Sequence, residues 1–185
     1  MRIISGMAKG RRLHTLKGMS TRPTSDRVRE AIFNIMGSSM ENNKVLDLFA
    51  GFGAVGLEAI SRGADSVTFV EKSKRVTEVI QRNLKELCFE NAQIFAMDVF
   101  RFFRWMQKRD EKYDLIFADP PYAMYEEKWI GDLWPAVSSS LEEGGLFILE
   151  HPSKWTASIH LSHLKKIETR KFGQTGVSFY NRVPH

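Results

Sequence analysis

The strongest constraint in this sequence is an alternation: short β-like apolar runs take turns with stretches of helical periodicity through most of the chain. Lys44–Leu48 leads through a glycine-rich turn into a helix predicted from about Ala54 to Arg62. Ser66–Glu71 precedes a helix near Lys74–Leu87, and Gln93–Ala96 precedes a helical stretch over Val99–Gln107. Tyr113–Ala118 is followed by a loop and a helix from about Glu126 to Ser139, and Gly145–Glu150 completes the series. Strands separated by helices imply parallel pairing, because the crossover between parallel strands needs a segment of that length. The tail differs: Leu164–Lys171 and Val177–Val183, joined through Gly173–Gly176, predict an antiparallel hairpin. The expected fold is α/β: an open, mostly parallel sheet covered on both faces and ending in that hairpin.

Upstream of the alternation, residues 2–5 and 11–15 read as a small hairpin turning at Ala8-Lys9-Gly10. Thr24 or Ser25 is the expected N-cap of a helix with apolar positions at Val28, Ile32, Ile35 and Met36, stopped near Gly37. No repeat or low-complexity linker divides the 185 residues, so one domain is expected over 1–185, with a basic extension over 1–37 and a core over 44–185. No apolar run approaches the ~18 residues of a membrane span, and the first residues lack a signal-peptide core. The single cysteine cannot form an internal disulfide, and the five histidines show no metal spacing. These readings predict a cytoplasmic protein without a metal.

Charge is distributed unevenly. Residues 1–29 carry Arg2, Lys9, Arg11, Arg12, Lys17, Arg22, Arg27 and Arg29 against Asp26 alone. Residues 161–185 carry Lys165, Lys166, Arg170, Lys171 and Arg182 against Glu168, while the intervening body is net acidic. Basic ends on an acidic body suit a polyanion such as nucleic acid. Arg2, Lys9, Arg11, Arg12, Arg22 and Arg27 are the expected phosphate contacts, and Arg29 reads as a helix-surface charge.

Ligands of open α/β sheets bind beyond the carboxyl ends of the strands, at the switch point. Asp47 to Gly56 contains G-x-G-x-x-G at the mouth of a helix. That is either a cofactor loop or an ordinary tight turn. Glu71 follows the second strand, as a ribose acceptor or a solvated carboxylate; Asp98 follows the third, as an adenine acceptor or a helix N-cap. Together they point to an adenosine-containing cofactor without separating a nicotinamide nucleotide from S-adenosylmethionine. The fourth strand runs into Asp119-Pro120-Pro121-Tyr122. Two prolines hold the chain extended and lack N–H donors, so the Pro120 carbonyl and the Asp119 carboxylate stay available to an exocyclic amino group. Tyr122 offers a stacking face. The alternative is a proline turn with a core tyrosine.

Those residues resemble the class I S-adenosylmethionine-dependent methyltransferases that modify amino nitrogens of nucleobases. More narrowly, the chain is similar to the bacterial RsmD family, guanine-N2 methyltransferases of 16S ribosomal RNA. The similarity runs through Arg2–Gly6, Lys9–Leu13, Arg22–Asn34, Asp47–Gly51, Gly56–Ala59, Phe69–Glu71, Asp119–Tyr122 and Gly173–Tyr180. It implies a Rossmann-like seven-stranded sheet and cofactor contacts at Asp47, Phe49, Gly51, Gly53, Glu71, Asp98 and Val99. Catalysis would fall to Asp119, Pro120, Pro121 and Tyr122. It implies 16S rRNA in an assembled or assembling 30S subunit as partner; a monomer is expected. Relatives usually carry G-S-G where this chain has Gly51-Phe52-Gly53, which removes a hydroxyl from the loop. Rival readings are an adenine-N6 methyltransferase of DNA or RNA, a nicotinamide-dependent oxidoreductase, and a non-catalytic RNA-binding module.

Overall fold

The computed structural model describes residues 1–16, 26–37, 39–125, 127–156 and 163–184. Seven strands form one sheet: β1 (Lys44–Leu48), β2 (Ser66–Val70), β3 (Ala92–Phe95), β4 (Tyr113–Ala118), β5 (Leu141–Pro152), β6 (Leu164–Phe172) and β7 (Thr175–Arg182). Their spatial order is β3-β2-β1-β4-β5-β7-β6. The chain steps outward from β1 to β2 and β3, then returns to lay β4 on β1's other side, in parallel register at Leu46↔Ile116 and Leu48↔Ala118. That reversal makes the carboxyl ends of β1 and β4 the switch point. The hairpin of β6 and β7 adds antiparallel to β5, with Leu149 opposite Ser178. This is the Rossmann-like class I methyltransferase architecture.

Alternation along the strands builds two cores. Val45, Phe69, Leu115, Phe117, Ile148 and Phe179 face helices α1 (Asp26–Met36), α2 (Ala54–Ser61) and α3 (Lys74–Leu87). Leu46, Leu48, Val70, Ile116, Phe147 and Tyr180 face α4 (Val99–Met106) and α5 (Glu127–Ser140). In α3 the buried Val76, Val79, Ile80, Asn83 and Leu84 recur at helical spacing, which gives one stripe to the core. Helix α2 lies so close to the sheet that a Cβ on Gly56 would stand 2.2 Å from the Phe69 ring. Only glycine fits there.

One expectation about the extension holds and two others need correction. The expected N-terminal hairpin forms: around the antiparallel bridge Arg2↔Arg12, Ile3 N–H donates to the Arg11 carbonyl at 3.0 Å, Gly10 N–H to the Ile3 carbonyl at 2.9 Å and Leu13 N–H to the Met1 carbonyl at 3.1 Å. Other backbone donors of the hairpin go to α2: Ile4 and Ser5 N–H donate to the Glu58 carboxylate at 2.8 and 2.9 Å, and Met7 N–H to the Ser61 carbonyl at 2.7 Å. Arg29 is not a surface charge; its side chain is fully buried, donating to the Arg2 carbonyl at 2.8 Å and pairing with Asp26 and Glu58. Periodicity around Val28 and Ile32 placed position 29 on a neighbouring face, but α2 and the arm close over that face as well. Strand β5 begins at Leu141 rather than Gly145, because an irregularity between Tyr113 and Leu115 lets Leu141 pair with Tyr113. The expected caps Thr24 and Ser25 lie outside the described residues. The expected stop holds: Gly37 follows α1 with φ +92°.

Candidate active site

A cavity of about 380 Å³ opens at the switch point. Asp47, Phe49, Gly51, Glu71, Asp98, Val99, Asp119, Pro120, Pro121 and Tyr122 all line it. Gly53 does not. It stands beneath the wall with φ +79°, where its left-handed backbone turns the chain into α2.

Each carboxylate on the β1–β3 side is already bonded to the backbone. Asp47, at the end of β1, accepts from Gly56 N–H at 2.9 Å. Its burial pushes its pKa up to about 8; the Gly56 bond opposes this, and the negative charges of Asp119 and Glu71 reinforce it. Glu71 accepts from Gly51 N–H at 3.1 Å through one oxygen and from Ser73 N–H at 2.9 Å through the other. It therefore sets the shape of the glycine loop rather than standing as a loose, solvated group. A carboxylate has about four acceptor positions, so capacity remains for ribose hydroxyls. Asp98 caps α4 by accepting from Phe100 N–H at 2.9 Å, and it lines the cavity too. Phe49, Met97 and Val99 add apolar wall. A set of acceptors at three successive strand ends beside an apolar slot fits an adenosine-containing cofactor.

The β4–β5 side is built differently. Asp119 and the two prolines leave β4 directly, and a 3-10 turn, η1 (Tyr122–Tyr125), follows. Met124 N–H closes that turn on the Pro121 carbonyl at 2.8 Å. Tyr122 is 61% exposed at the rim, which excludes the reading of a core tyrosine. Among the wall residues that the sequence reading did not single out are Tyr125, Glu150 and His151. The Tyr125 hydroxyl donates to the Glu150 carbonyl, and its ring meets Trp155 edge-on at 5.4 Å. Burial raises the Tyr125 pKa, and so does the nearby charge of Asp119, so the hydroxyl stays protonated as a donor. His151 contacts the Pro152 carbonyl at 2.8 Å and the Ser178 hydroxyl at 2.7 Å, and its burial lowers its pKa. The rule that ligands sit at strand ends could have flagged Glu150 and His151, since β5 neighbours β4.

Phe52, the departure in the loop, is buried with Val76 and Val79 and also touches the cavity. Met1 and Leu16 of the arm pack on the same group, so the missing hydroxyl is replaced by an apolar tie between arm and loop. Of the expected phosphate contacts, Arg2, Lys9, Arg11, Arg12 and Arg27 are exposed, and Arg11 also donates to the Glu86 carbonyl at 3.1 Å. Arg22 lies outside the described residues. Among the described residues no cluster could hold a metal ion, and no helix is long and apolar enough to cross a membrane.

A family model described as Conserved hypothetical protein 95 matches residues 1–181. The chain is 37% identical over 183 residues to YlbH of Bacillus subtilis (strain 168), which carries a provisional rRNA methyltransferase name, with 98% of this chain and 99% of that one covered. It is 31% identical over 192 residues to ribosomal RNA small subunit methyltransferase D of Escherichia coli (strain K12), covering 98% of this chain and 90% of the relative. The solved structure of yhhF from Escherichia coli, also provisionally a methyltransferase, superposes with a TM-score of 0.85 at 28% identity, over 99% of this chain and 98% of that one. This chain thus belongs to the Conserved hypothetical protein 95 family, the RsmD family of methyltransferases.

Proposed function

We propose that this protein transfers a methyl group from S-adenosylmethionine to the exocyclic N2 amino group of a guanine in 16S ribosomal RNA. The observation that carries the reading is the placement of Asp119-Pro120-Pro121-Tyr122 in one cavity with Gly51 and Glu71. Amino-nitrogen acceptors and cofactor loop therefore face a common space. The relatives' names supply the rRNA; the guanine follows from the family resemblance.

Glu71 and Asp98 would hold the ribose and adenine of the cofactor, with Phe49 and Val99 against its base and Asp47 beside the loop. When bound, the cofactor supplies a methyl group made electrophilic by its sulfonium. The residues of the chain position and polarise. The base leaves its stack, at a cost of a few kcal/mol in a duplex and less in a loop. Stacking on Tyr122 offsets about 1–3 kcal/mol of that. Asp119 and the Pro120 carbonyl accept hydrogen bonds from the amino group, which draws the nitrogen lone pair out of conjugation and towards the methyl. Asp119 takes the displaced proton once the N–C bond has formed.

The exposed arginines and lysine of residues 1–37 hold phosphates around the target, on a catalytic core over 44–185. The protein works as a cytoplasmic monomer on the assembled or assembling small subunit. The test is labelled methyl transfer to small subunits and to naked 16S rRNA, followed by nucleoside mass mapping. N2-methylguanosine at one position is expected. A methyl group on adenine N6 would instead favour the rival amino methyltransferase, and no transfer to either substrate would refute the reading.

A further inference from the structure

The basic C-terminal hairpin has no part in the chemistry described so far, yet strand register brings it beside the cavity. His151 of the cavity wall is opposite Gly176 of β7, and Gly176 is opposite Lys171 of β6. Two strand spacings of about 4.8 Å put the Lys171 backbone about 10 Å from the wall. Thr175, where the hairpin turn enters β7, lines the cavity itself. Lys166 pairs with Tyr180, which belongs to the same core face as Leu149, so Lys166 shares a face with Lys171, Thr169 and Ser178 despite the irregularity after it.

Around the buried Tyr180 and Leu149, that face carries Thr169, Ser178 and the exposed Lys166 and Lys171. Thr169 and Ser178 share a hydrogen bond at 2.8 Å, and Ser178 continues it to His151. Arg170 is engaged by Glu168 at 3.1 Å. Lys165, Lys166 and Lys171 are exposed, and among the described residues none of them pairs with a carboxylate. The field of these lysines reaches the wall: burial lowers the His151 pKa first, and the charges of Lys166 and Lys171 push it the same way. The N-terminal arm lies on the opposite face, across α2 and α3, where His14 meets Asn83 and Ser61 meets Ala8. Met1 of the arm and Thr175 of the hairpin both line the cavity, so the two basic segments reach its wall from different parts of the chain.

We propose that Lys166 and Lys171 on β6 form a second phosphate track, so that the RNA strand crosses the mouth from the N-terminal arm to the C-terminal hairpin. The track deepens the RNA reading above and rests on it. A strand held on both sides of the everted base cannot swing the base out of the cavity, which is the orientation that in-line transfer needs. Free lysines act here as point charges on phosphate and carry no base preference.

The experiment uses the full-length chain and a single-stranded RNA of about 20 nucleotides, with affinity measured across a salt series. The variants are Lys166→Gln with Lys171→Gln, and as a control Lys44→Gln with Lys108→Gln, exposed lysines at the opposite end of the sheet. Each phosphate contact to a single strand contributes about 0.7 to the slope of log affinity against log salt. The hairpin pair should therefore flatten the slope by about 1.4 and weaken low-salt binding roughly tenfold, with S-adenosylmethionine affinity unchanged within about twofold. The control pair should leave the slope unchanged. A wild-type slope in the hairpin variant, or an equal loss in the control, overturns the track. Because the slope is read without methyl transfer, the track can fail while guanine methylation stands, and the reverse.

Discussion

The two sides of the cavity are built on opposite principles. On the β1–β3 side every acceptor is bound to the backbone before any ligand arrives: Asp47 to Gly56, Glu71 to Gly51 and Ser73, Asp98 to the first turn of α4. On the β4–β5 side the chain runs into an exposed tyrosine and a short 3-10 turn, tied by Met124 N–H to the Pro121 carbonyl and by the Tyr125 hydroxyl to the Glu150 carbonyl. The difference suits the roles proposed for the two sides. A small cofactor with fixed hydroxyls is best met by a preformed site, since preorganisation lowers the ordering cost of binding. A nucleobase arriving from a large polymer needs an open rim with room to enter. Substitutions on the first side should therefore disturb folding and cofactor binding together, and those on the second should disturb transfer alone.

The sharpest way to break this contrast is Asp119→Ala. The variant is expected to lose about 10³-fold in kcat, comparable to removing one preorganised transition-state group, while its cofactor affinity stays within about threefold. Single-turnover methylation and calorimetric titration check the two halves, and a large loss of cofactor binding would erase the division between the sides. Next in size is Glu71→Ala, which leaves the Gly51 and Ser73 N–H groups without their carboxylate. Each lost charge-assisted bond is worth about 1.5–3 kcal/mol, so both Tm and cofactor affinity should fall. Tyr122→Ala supplies the contrast. Its exposure predicts an unfolding free energy within about 0.5 kcal/mol of wild type, with RNA-dependent turnover slowed by the equivalent of about 1–3 kcal/mol and rescue by Tyr122→Phe.

Asp47 sharpens the comparison through pH. Its folded pKa of about 8 lies above the ordinary value of 3.8, so the folded state holds a proton that the unfolded chain releases. The stabilisation is complete below pH ~4 and fades as pH rises towards ~8. Asp47→Asn keeps an acceptor for Gly56 and removes the titration. The ligand-free wild type should lose Tm relative to this variant between pH 5 and 8, as thermal melts at four pH values would show; parallel pH profiles would refute the buried proton. The smallest effect is expected from Phe52→Ser, which restores the hydroxyl usual in relatives but opens the contact with Val76, Val79 and Leu16. A Phe truncation in a full core costs about 3–5 kcal/mol; this one-sided seam should cost less, about 1–2 kcal/mol by chemical denaturation.

Much of this site was legible before any coordinates. Periodicity located β1, β4 and α3 with their observed bounds, because each has an unbroken pattern and flanking turn residues. Spacing also placed Glu71 and Asp98 at strand ends, since in a parallel sheet the residue after each strand must emerge on the ligand side. What escaped is what depends on chain segments meeting from afar. Arg29 looked like surface because its partner Glu58 is 29 positions away, and a local window cannot see a salt bridge closed by the N-terminal arm. Tyr125 sits in a turn with no periodicity, and its partner lies on another strand.

One boundary separates these cases. The order of residues was enough for the class of fold and for most of the residues expected to line the cavity, because both follow from patterns a few residues long: alternation, helical repeat, glycine at a turn, proline at a strand mouth. Three-dimensional packing alone assigned Phe52 to a seam with the arm, buried Arg29 against α2, and set Lys171 in register with His151 across two strands. The reason is that burial, and pairing between strands distant in sequence, are set by the sum of all contacts. No single stretch of chain contains that sum.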